Sequence, residues 1–346
     1  MIRPLLFLTL LLPLAVAAPA RADEAACREA TRRGLALVTR AASNWQKNKT
    51  CFSCHHQTLP MLAMVESARV GFAPDAAWLK SQADTTHRYF TTRIEEMDDG
   101  DHVPGGAATT AFGFWALQLD HRPADETTTA MVNYLLQIQG VTRARDRKPS
   151  TPPKPEDGRW QASCRRAPMQ ASFVGDTALV LIGLENYATP AQRPRVAQAR
   201  AAAEKWLAAV PLKDQQDRIW RLWGLHHLGG DERVKTTVRA AILAAQRDDG
   251  GWAEGDGRTS DAYSTGQTLF MLCKTGTAPD SAAVLRARDY LLRTQHADGS
   301  WLAESHVKLK AQPYFENGDP HGEHQFLSTA ATAWATAALA QLLPPK

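Results

Sequence analysis

The segment KTCFSCHHQTLP, residues 49–60, contains two cysteines three positions apart and a histidine directly after the second one. Two thiols at this spacing can form thioethers with the two vinyl groups of a haem, and the imidazole beside them can bind the iron. We therefore predict that Cys51, Cys54 and His55 hold one covalently attached haem c. His55 is the expected proximal ligand of the iron.

The sequence leaves other roles open for these cysteines. A disulfide suits an oxidising compartment, and two thiols can also form half of a zinc site. The chain has no second Cys-x-x-Cys to complete four thiolate ligands, and it lacks the strand and helix alternation of a thioredoxin-like fold. Of the other cysteines, Cys273 is expected to be a buried thiol in an apolar helix. A disulfide between Cys27 and Cys164 is left open by the sequence.

A haem iron has a second axial position, and four residues are candidates to fill it. Met61 and Met64 follow the cysteine motif closely, and methionine is a common axial ligand. His321 and His324 lie about 270 residues later, and they reach the same haem only if the last helices return to the first ones. The alternative is that these two histidines hydrogen-bond only within their own loop.

The first 22 residues have the composition of a secretory signal peptide. A basic start at Arg3 precedes an apolar run, and the sequence Ala20-Arg21-Ala22 resembles a cleavage site. The expected mature chain, residues 23–346, forms one domain without a later membrane span. Its formal charge falls from +4 to +2 when Arg3 and Arg21 are removed, which gives no reason to expect nucleic-acid binding. We predict a periplasmic or secreted bacterial protein.

Helix-like segments alternate in six pairs along the rest of the chain, and no strand pattern is present. In each pair a polar amphipathic segment precedes a segment that is apolar on most faces and is therefore expected to be buried. The polar segments are 25–47, 75–96, 124–139, 191–209, 232–246 and 280–295, and the apolar segments are 58–71, 106–119, 175–187, 217–229, 264–276 and 328–342. Repeats of this length form stacked units. We predict an all-α fold, an α/α toroid of six hairpins in which two rings of helices are concentric.

The connectors within the pairs carry a recurring motif. AILAAQRDDGGW (241–252) and YLLRTQHADGSW (290–301) share a Gln followed by Asp-Gly-x-Trp. The Gln can hydrogen-bond backbone groups, the Gly permits a turn, and the Trp packs over it. A third copy begins in YLLQIQ (134–139) and ends in DGRW (157–160), after a stretch at 141–156 that is expected to be a surface loop. A second long loop is expected at 303–326.

These Gln and Gly-x-Trp repeats on paired helices resemble those of squalene and oxidosqualene cyclases and of protein prenyltransferases. The resemblance is strongest at the motifs that end in Trp252 and Trp301. The chain is also similar to a group of short, exported bacterial cyclase-like proteins with SCHH near the N-terminus and QPYFENG…HGEHQ near the C-terminus, which stand here at 53–56 and 312–325. The resemblance implies the α/α toroid fold and a cavity for an isoprenoid-like apolar ligand.

The catalytic residues of these enzymes are not retained. The cyclase signature Asp-x-Asp-Asp-Thr-Ala resembles FVGDTA here, so Gly175 stands at the position of the proton donor and Asp176 at the position after it. Asp261 resembles a zinc ligand of the prenyltransferases, but Gly266 stands where they have the cysteine ligand, and two ligands do not close a zinc site. The other interpretation of Asp261 is a helix N-cap. We expect neither squalene cyclase nor prenyltransferase activity.

The residues still expected at the cavity are Asp176, Asp261, Tyr263, Tyr314 and Glu316. The predicted function is electron transfer or haem-assisted redox chemistry with a periplasmic redox partner. The alternative is binding or transformation of an isoprenoid-like apolar ligand without haem, and a third option is a scaffold for another exported protein. If the ring of hairpins closes, the first and last hairpins meet at a seam. The Cys-x-x-Cys-His segment and the segment 312–325 then share one site at this seam.

Overall fold

The computed structural model describes residues 19–101, 103–140, 158–164, 166–307 and 315–346, with side chains from residue 23 onwards. Most of the expected signal peptide, the expected surface loop at 141–156 and Tyr314 lie outside the described residues. The described residues form α-helices and turns, with one isolated bridge between Gly106 and Ala162. None of their helices is both long enough and apolar enough to cross a membrane.

Thirteen α-helices follow one another along the described residues: α1 (Pro19–Asn48), α2 (Leu59–Ala68), α3 (Ala76–Thr91), α4 (Ile94–Asp98), α5 (Gly106–Leu119), α6 (Glu126–Ile138), α7 (Phe173–Tyr187), α8 (Arg193–Ala209), α9 (Gln215–His227), α10 (Glu232–Ala244), α11 (Ala262–Lys274), α12 (Ala282–Thr294) and α13 (Gln325–Ala340). The predicted six pairs are confirmed, and most ends differ from the prediction by only a few residues. The α4 helix is a short addition that the sequence pattern did not indicate.

The inner ring consists of the second helix of each pair: α2, α5, α7, α9, α11 and α13. These helices are buried along most of their length, whereas the first helices of the pairs bury one face only. Each inner helix packs against the next, and α13 packs against α1 and α2, so the last hairpin meets the first. The ring of hairpins is therefore closed, as the prediction of an α/α toroid requires.

Small residues allow close packing between inner helices. A Cβ atom added at Gly266 of α11 would lie 2.6 Å from the backbone nitrogen of Ala335 in α13. One added at Gly175 of α7 would lie 2.7 Å from Cδ1 of Trp220 in α9. The resemblance aligns these two positions with functional side chains of the cyclases and prenyltransferases, and here the neighbouring helix takes the space beside each of them.

The Gln–Gly–Trp motifs make the same contacts in each copy. The Gln246 side chain donates to the carbonyl of Gly250 at 2.9 Å and to that of Ala283 in α12 at 2.8 Å. The Trp252 indole donates to Ile242 of its own outer helix at 2.8 Å. Gln139 with Trp160 and Gln295 with Trp301 repeat this arrangement. The motif thus joins a connector to the outer helix before it and to the next outer helix.

An aromatic cluster fills the interior of the toroid around the middle of its inner helices. Trp115, Trp223, Phe270 and Trp334, from α5, α9, α11 and α13, contact one another in sequence with ring centroids 5.5–6.3 Å apart. Such spacings are typical of favourable aromatic pairs. A cup lies at the end of the toroid where the inner helices begin, and a smaller cavity of about 60 Å³ is lined by Trp115 and Trp223 of the cluster.

Candidate functional site

The cup lies at the end of the inner ring where α5 and α13 begin, beside the connectors that precede α2 and α7. Its volume is about 840 Å³, which is within the range of sites for cofactors and small molecules. Cys51, Cys54 and His55 all line it, together with His324 of the last hairpin. The other lining residues are Trp45, Lys49, Phe52, Ser53, Tyr89, Pro104, Gly105, Thr109, Arg166, Ala167, Met169, Gln170, Ser305, Val307, Phe315, Glu323, Gln325, Phe326 and Leu327.

The connector between α1 and α2 carries the two thiols. Its carbonyl at Cys51 accepts a hydrogen bond from the indole of Trp45 at 2.9 Å, which fixes the start of the segment. Ser53 then caps a single turn of π-helix, Cys54–Thr58, and its hydroxyl accepts from the backbone N–H of His56 at 3.2 Å. The Gln57 side chain accepts from the backbone N–H of Ser53 at 2.7 Å. These local bonds hold the cysteine and histidine side chains at the cup wall.

A buried chain of three side chains joins the first and last hairpins. Nε2 of His56 donates to Oδ2 of Asp319 at 2.6 Å, and both side chains are nearly inaccessible to solvent. The other ring nitrogen of His56, Nδ1, is in hydrogen-bond contact with Nδ1 of His55. Because the carboxylate of Asp319 accepts the N–H of His56 Nε2, Nδ1 of the neutral His56 ring is an acceptor, and His55 donates to it from Nδ1, which also lies 2.9 Å from the hydroxyl oxygen of Ser53. Nε2 of His55 is therefore the unprotonated nitrogen.

Asp319 is held in place by an amide. The Asn317 side chain donates to Oδ2 of Asp319 at 2.9 Å and to the carbonyl of Ala41 in α1 at 3.3 Å. Its backbone N–H donates to the side chain of Gln325 at 2.9 Å, and its carbonyl oxygen Oδ1 accepts from Asn48 at 3.2 Å. The segment 317–319 is thus bonded to α1 and to the start of α13.

Aromatic rings enclose the two histidines. Trp45 stacks on His56 with a centroid distance of 4.7 Å and an interplanar angle of 20°. Phe326 stacks on His55 at 5.1 Å and 11°. These contacts fix the planes of both imidazoles. Burial lowers the pKa of His56, against an opposing effect of Asp319, and burial lowers the pKa of His55 well below its usual value. Both rings are therefore neutral at neutral pH.

The five cysteines are all free thiols in the structure. Cys51 is exposed and Cys54 is half-buried by solvent accessibility. Burial raises the pKa of the Cys54 thiol to about 12, which is the reverse of the lowered pKa of redox-active cysteines. Among the residues that the structure describes, no group of three or more His, Cys, Asp or Glu side chains is arranged to hold a metal ion.

The candidates for the second axial position lie in different surroundings. His324 lines the cup, and its Nδ1 accepts from the backbone N–H of Ser305 at 3.2 Å. His321 lies away from the cup and its Nε2 is bonded to Ser300 at 2.8 Å. Met61 and Met64 are buried in the core on α2. The sequence did not single out Met169, a methionine that does line the cup.

Of the residues expected at the cavity, the four that the structure describes do not line the cup. Asp176 is buried and accepts from the backbone N–H of Ala162 at 2.7 Å, and burial raises its pKa to about 7. Asp261 is the N-cap of α11, and burial raises its pKa to about 6. Tyr263 is fully buried, and burial is the main cause of the rise in its pKa. Glu316 is exposed beside the seam, and Tyr314 lies outside the described residues.

Several residues in and beside the cup carry no signal in the sequence. Asp319 and Asn317 lie within the segment 312–325 of the resemblance, but their residue types did not indicate a contact with His56. Trp45 lies in the last turn of α1 and shows no local sign of its contact with His56. Lys49 and Arg166 add positive charge at the cup wall, and among the described residues no ion pair to a carboxylate is formed by either.

The sequence matches no protein-family profile, and no curated protein is significantly similar to it. Solved structures do match it in fold. A wild-type glycosidase matches with a TM-score of 0.60 and 14% identity over 93% of this chain and 99% of that one. A variant of the type II terpene cyclase MstE from Scytonema, solved with its substrate geranylgeranyl dihydroxybenzoate, matches with a TM-score of 0.53 and 13% identity, over 94% and 99% of the two chains.

A second variant of MstE, solved with the product merosterolic acid A, matches with a TM-score of 0.54 and 13% identity over the same shares of both chains. Likeness at this identity shows the fold alone. The chain thus has the α/α toroid fold. Glu323 is the one carboxylate among the described residues that line the cup, whereas glycoside hydrolysis uses a pair of carboxylates.

Proposed function

We propose that this protein is an exported α/α toroid that carries one haem c in the cup, attached to Cys51 and Cys54 with His55 as an iron ligand. The observation that supports it most directly is that both thiols and the imidazole line one cavity of about 840 Å³. The function that follows is haem-based redox chemistry, with electron transfer to a periplasmic partner as one form of it.

The residues of the cup fit a haem in three respects. The chain from Asp319 through His56 leaves Nε2 of His55 unprotonated, and metal-bound imidazoles are commonly oriented by such a second hydrogen bond. Aromatic side chains at the wall, Trp45 and Phe326 among them, provide faces on which a flat ring system packs. Lys49 and Arg166 provide positive charge suited to the propionate groups of a haem.

When bound, a haem supplies one-electron chemistry at its iron. The protein's own contribution is to orient His55, to surround it with aromatic rings, and to keep it neutral by burial. A hydrogen bond from Nδ1 of His55 to His56, which in turn is bonded to a carboxylate, raises the basicity of the ligating nitrogen. With a haem bound, a more basic His55 would favour the oxidised iron, so the contacts of His55 with His56 and Asp319 would lower the reduction potential of the haem.

A second candidate function is binding of an isoprenoid-like apolar ligand in the same cup without haem. The fold shared with a terpene cyclase and the aromatic cluster beneath the cup support it. Cyclisation of squalene is not part of this candidate, because Gly175 stands at the donor position and Trp220 occupies the space beside it.

The test is to produce the full chain in a bacterial host with and without a haem c maturation system. The proposal predicts an intact mass larger by one haem in the first host and a colour that survives acidic acetone extraction. Cys51→Ala combined with Cys54→Ala should abolish both, whereas Cys273→Ala, which removes a thiol outside the cup, should retain both. An unmodified mass from the maturation host contradicts haem attachment, and co-purification of an apolar lipid with that protein would support the second candidate.

A further inference from the structure

We propose that the second axial face of the haem is open to a small exogenous ligand, to which His324 donates a hydrogen bond. The inference rests on the haem proposed above and makes it specific: the cup binds a small anionic or dipolar acceptor rather than serving only as a relay of electrons.

The hydrogen bonds of His324 determine which of its ring nitrogens carries the proton. Its Nδ1 accepts a hydrogen bond from the backbone N–H of Ser305 at 3.2 Å. A backbone N–H is always a donor, so Nδ1 carries no proton. A neutral imidazole then carries its proton on Nε2. His324 is therefore a donor at Nε2, for which the described residues provide no hydrogen-bond acceptor, and it lines the cup.

His55 and His324 differ in which ring nitrogen carries the proton. The bonds to His56 and Asp319 place the proton of His55 on Nδ1, so its Nε2 is an acceptor, 3.4 Å from the hydroxyl oxygen of Ser53. For His324 to bind iron in the same way, the ring would have to give up the hydrogen bond to Ser305 or lose the proton of Nε2. The two cup histidines thus have opposite roles, one as a metal ligand and the other as a hydrogen-bond donor.

The other candidates for the axial position differ in whether they line the cup. Met61 and Met64 are buried in the core of α2, away from the cup, and His321 is bonded to Ser300. Met169 lines the cup, and the experiment below tests it as a ligand. Arg166 also lines the cup and is exposed. Together with the N–H of His324 it favours a ligand that is negative or accepts hydrogen bonds.

The experiment measures the optical spectrum and fluoride affinity of the ferric, haem-loaded full chain. The inference predicts a high-spin resting spectrum and fluoride binding that His324→Leu weakens about 10- to 100-fold, since a hydrogen bond to a charged acceptor is lost. His324→Gln, which keeps an N–H donor, should recover part of the affinity. Carbon monoxide is a poor hydrogen-bond acceptor, so its binding to the ferrous form should be unchanged in both variants.

His321→Leu is the matched control, because it changes a nearby histidine outside the cup and should leave fluoride affinity unaltered. Circular dichroism and haem content establish that each variant folds and is loaded. A low-spin resting spectrum that becomes high-spin in His324→Leu or in Met169→Leu would identify a protein ligand at the second face and overturn the inference. Equal fluoride affinity in the parent chain and His324→Leu would also overturn it.

Failure of the inference differs from failure of the proposed function. A chain that carries no haem after maturation refutes both. A chain that carries a low-spin haem refutes only the open second face. A measurement that needs no haem, the ring ¹⁵N shifts of histidine-labelled protein, should show the proton of His324 on Nε2, and a proton on Nδ1 would contradict the inference.

Discussion

Connectors that occupy the same place in the repeat are used in two ways. In the connectors with a Gln–Gly–Trp motif, the side chains stabilise the framework of the toroid. Trp252 and Trp301 are completely buried, and their indoles donate hydrogen bonds to their own outer helices. The first connector, residues 49–58, instead places Cys51, Cys54 and His55 at the wall of a cavity. The repeat therefore marks what builds the toroid, and the departure from it marks the candidate site.

The largest effect is expected where the framework motif is broken. Trp301→Ala removes a fully buried indole and its hydrogen bond to Leu291, so it should lower the free energy of unfolding by about 3–5 kcal/mol. Leu302→Ala is the matched control, because Leu302 is 38% exposed and should change stability by less than about 1 kcal/mol. Denaturant unfolding measures both, and similar losses in the two variants would refute the framework role of the motif.

A pH dependence is expected from Asp176, which is bonded to the connector before α7. Burial raises its pKa from 3.8 to about 7 in the folded chain. Between these values the folded state holds the proton more tightly than the unfolded state, so this contribution to stability is complete below about pH 4 and is lost as the pH rises to about 7. Its slope reaches about 1.4 kcal/mol per pH unit.

Asp176→Asn removes this titration and should make the free energy of unfolding less dependent on pH across that window. The comparison with the parent chain is needed because burial also raises the pKa of Asp261 and Glu254 to about 6. Parallel stability curves for the two proteins from pH 4 to pH 7 would show that Asp176 titrates normally.

A smaller effect is expected at Gln295, whose side chain donates to Ala30 in α1 at 2.9 Å and so bonds the last repeat to the first helix. Gln295→Ala should lower the free energy of unfolding by about 1–2 kcal/mol, because the carbonyl oxygens bonded to this side chain lose a hydrogen-bond donor in a half-buried position. Gln246→Ala breaks the equivalent bonds between α10 and α12 and should cost a similar amount. Hydrogen exchange near Ala30 should increase only in the first variant, and an increase in both would argue against a local effect.

The fold was predictable because its signals are local. Alternation of polar and apolar helix patterns gave the six pairs, and Asp261 at the start of α11 is an N-cap whose side chain accepts from Ser264 at 2.7 Å. The contact between His56 and Asp319 spans 263 residues. No periodicity carries such information, because it depends on closure of the whole ring.

The interior also follows from packing rather than from residue type. Asp176 and Tyr263 have chemically capable side chains, yet neighbouring helices enclose them away from the cup. Conversely, Trp45 and Phe326 look like ordinary core residues, and only the meeting of α1 with α13 brings them to the two histidines. Residue type and spacing indicated the thiols and His55, but they did not indicate what surrounds them.

The most direct test of a haem in the first connector is tryptic peptide mapping of protein from a haem c maturation host. Cleavage after Lys49 and Arg69 yields one peptide, residues 50–69, that contains Cys51 and Cys54 together. The account predicts that this peptide, and none of those with Cys27, Cys164 or Cys273, carries the mass of one haem. Recovery of the peptide unmodified, or with only an internal disulfide, would contradict it.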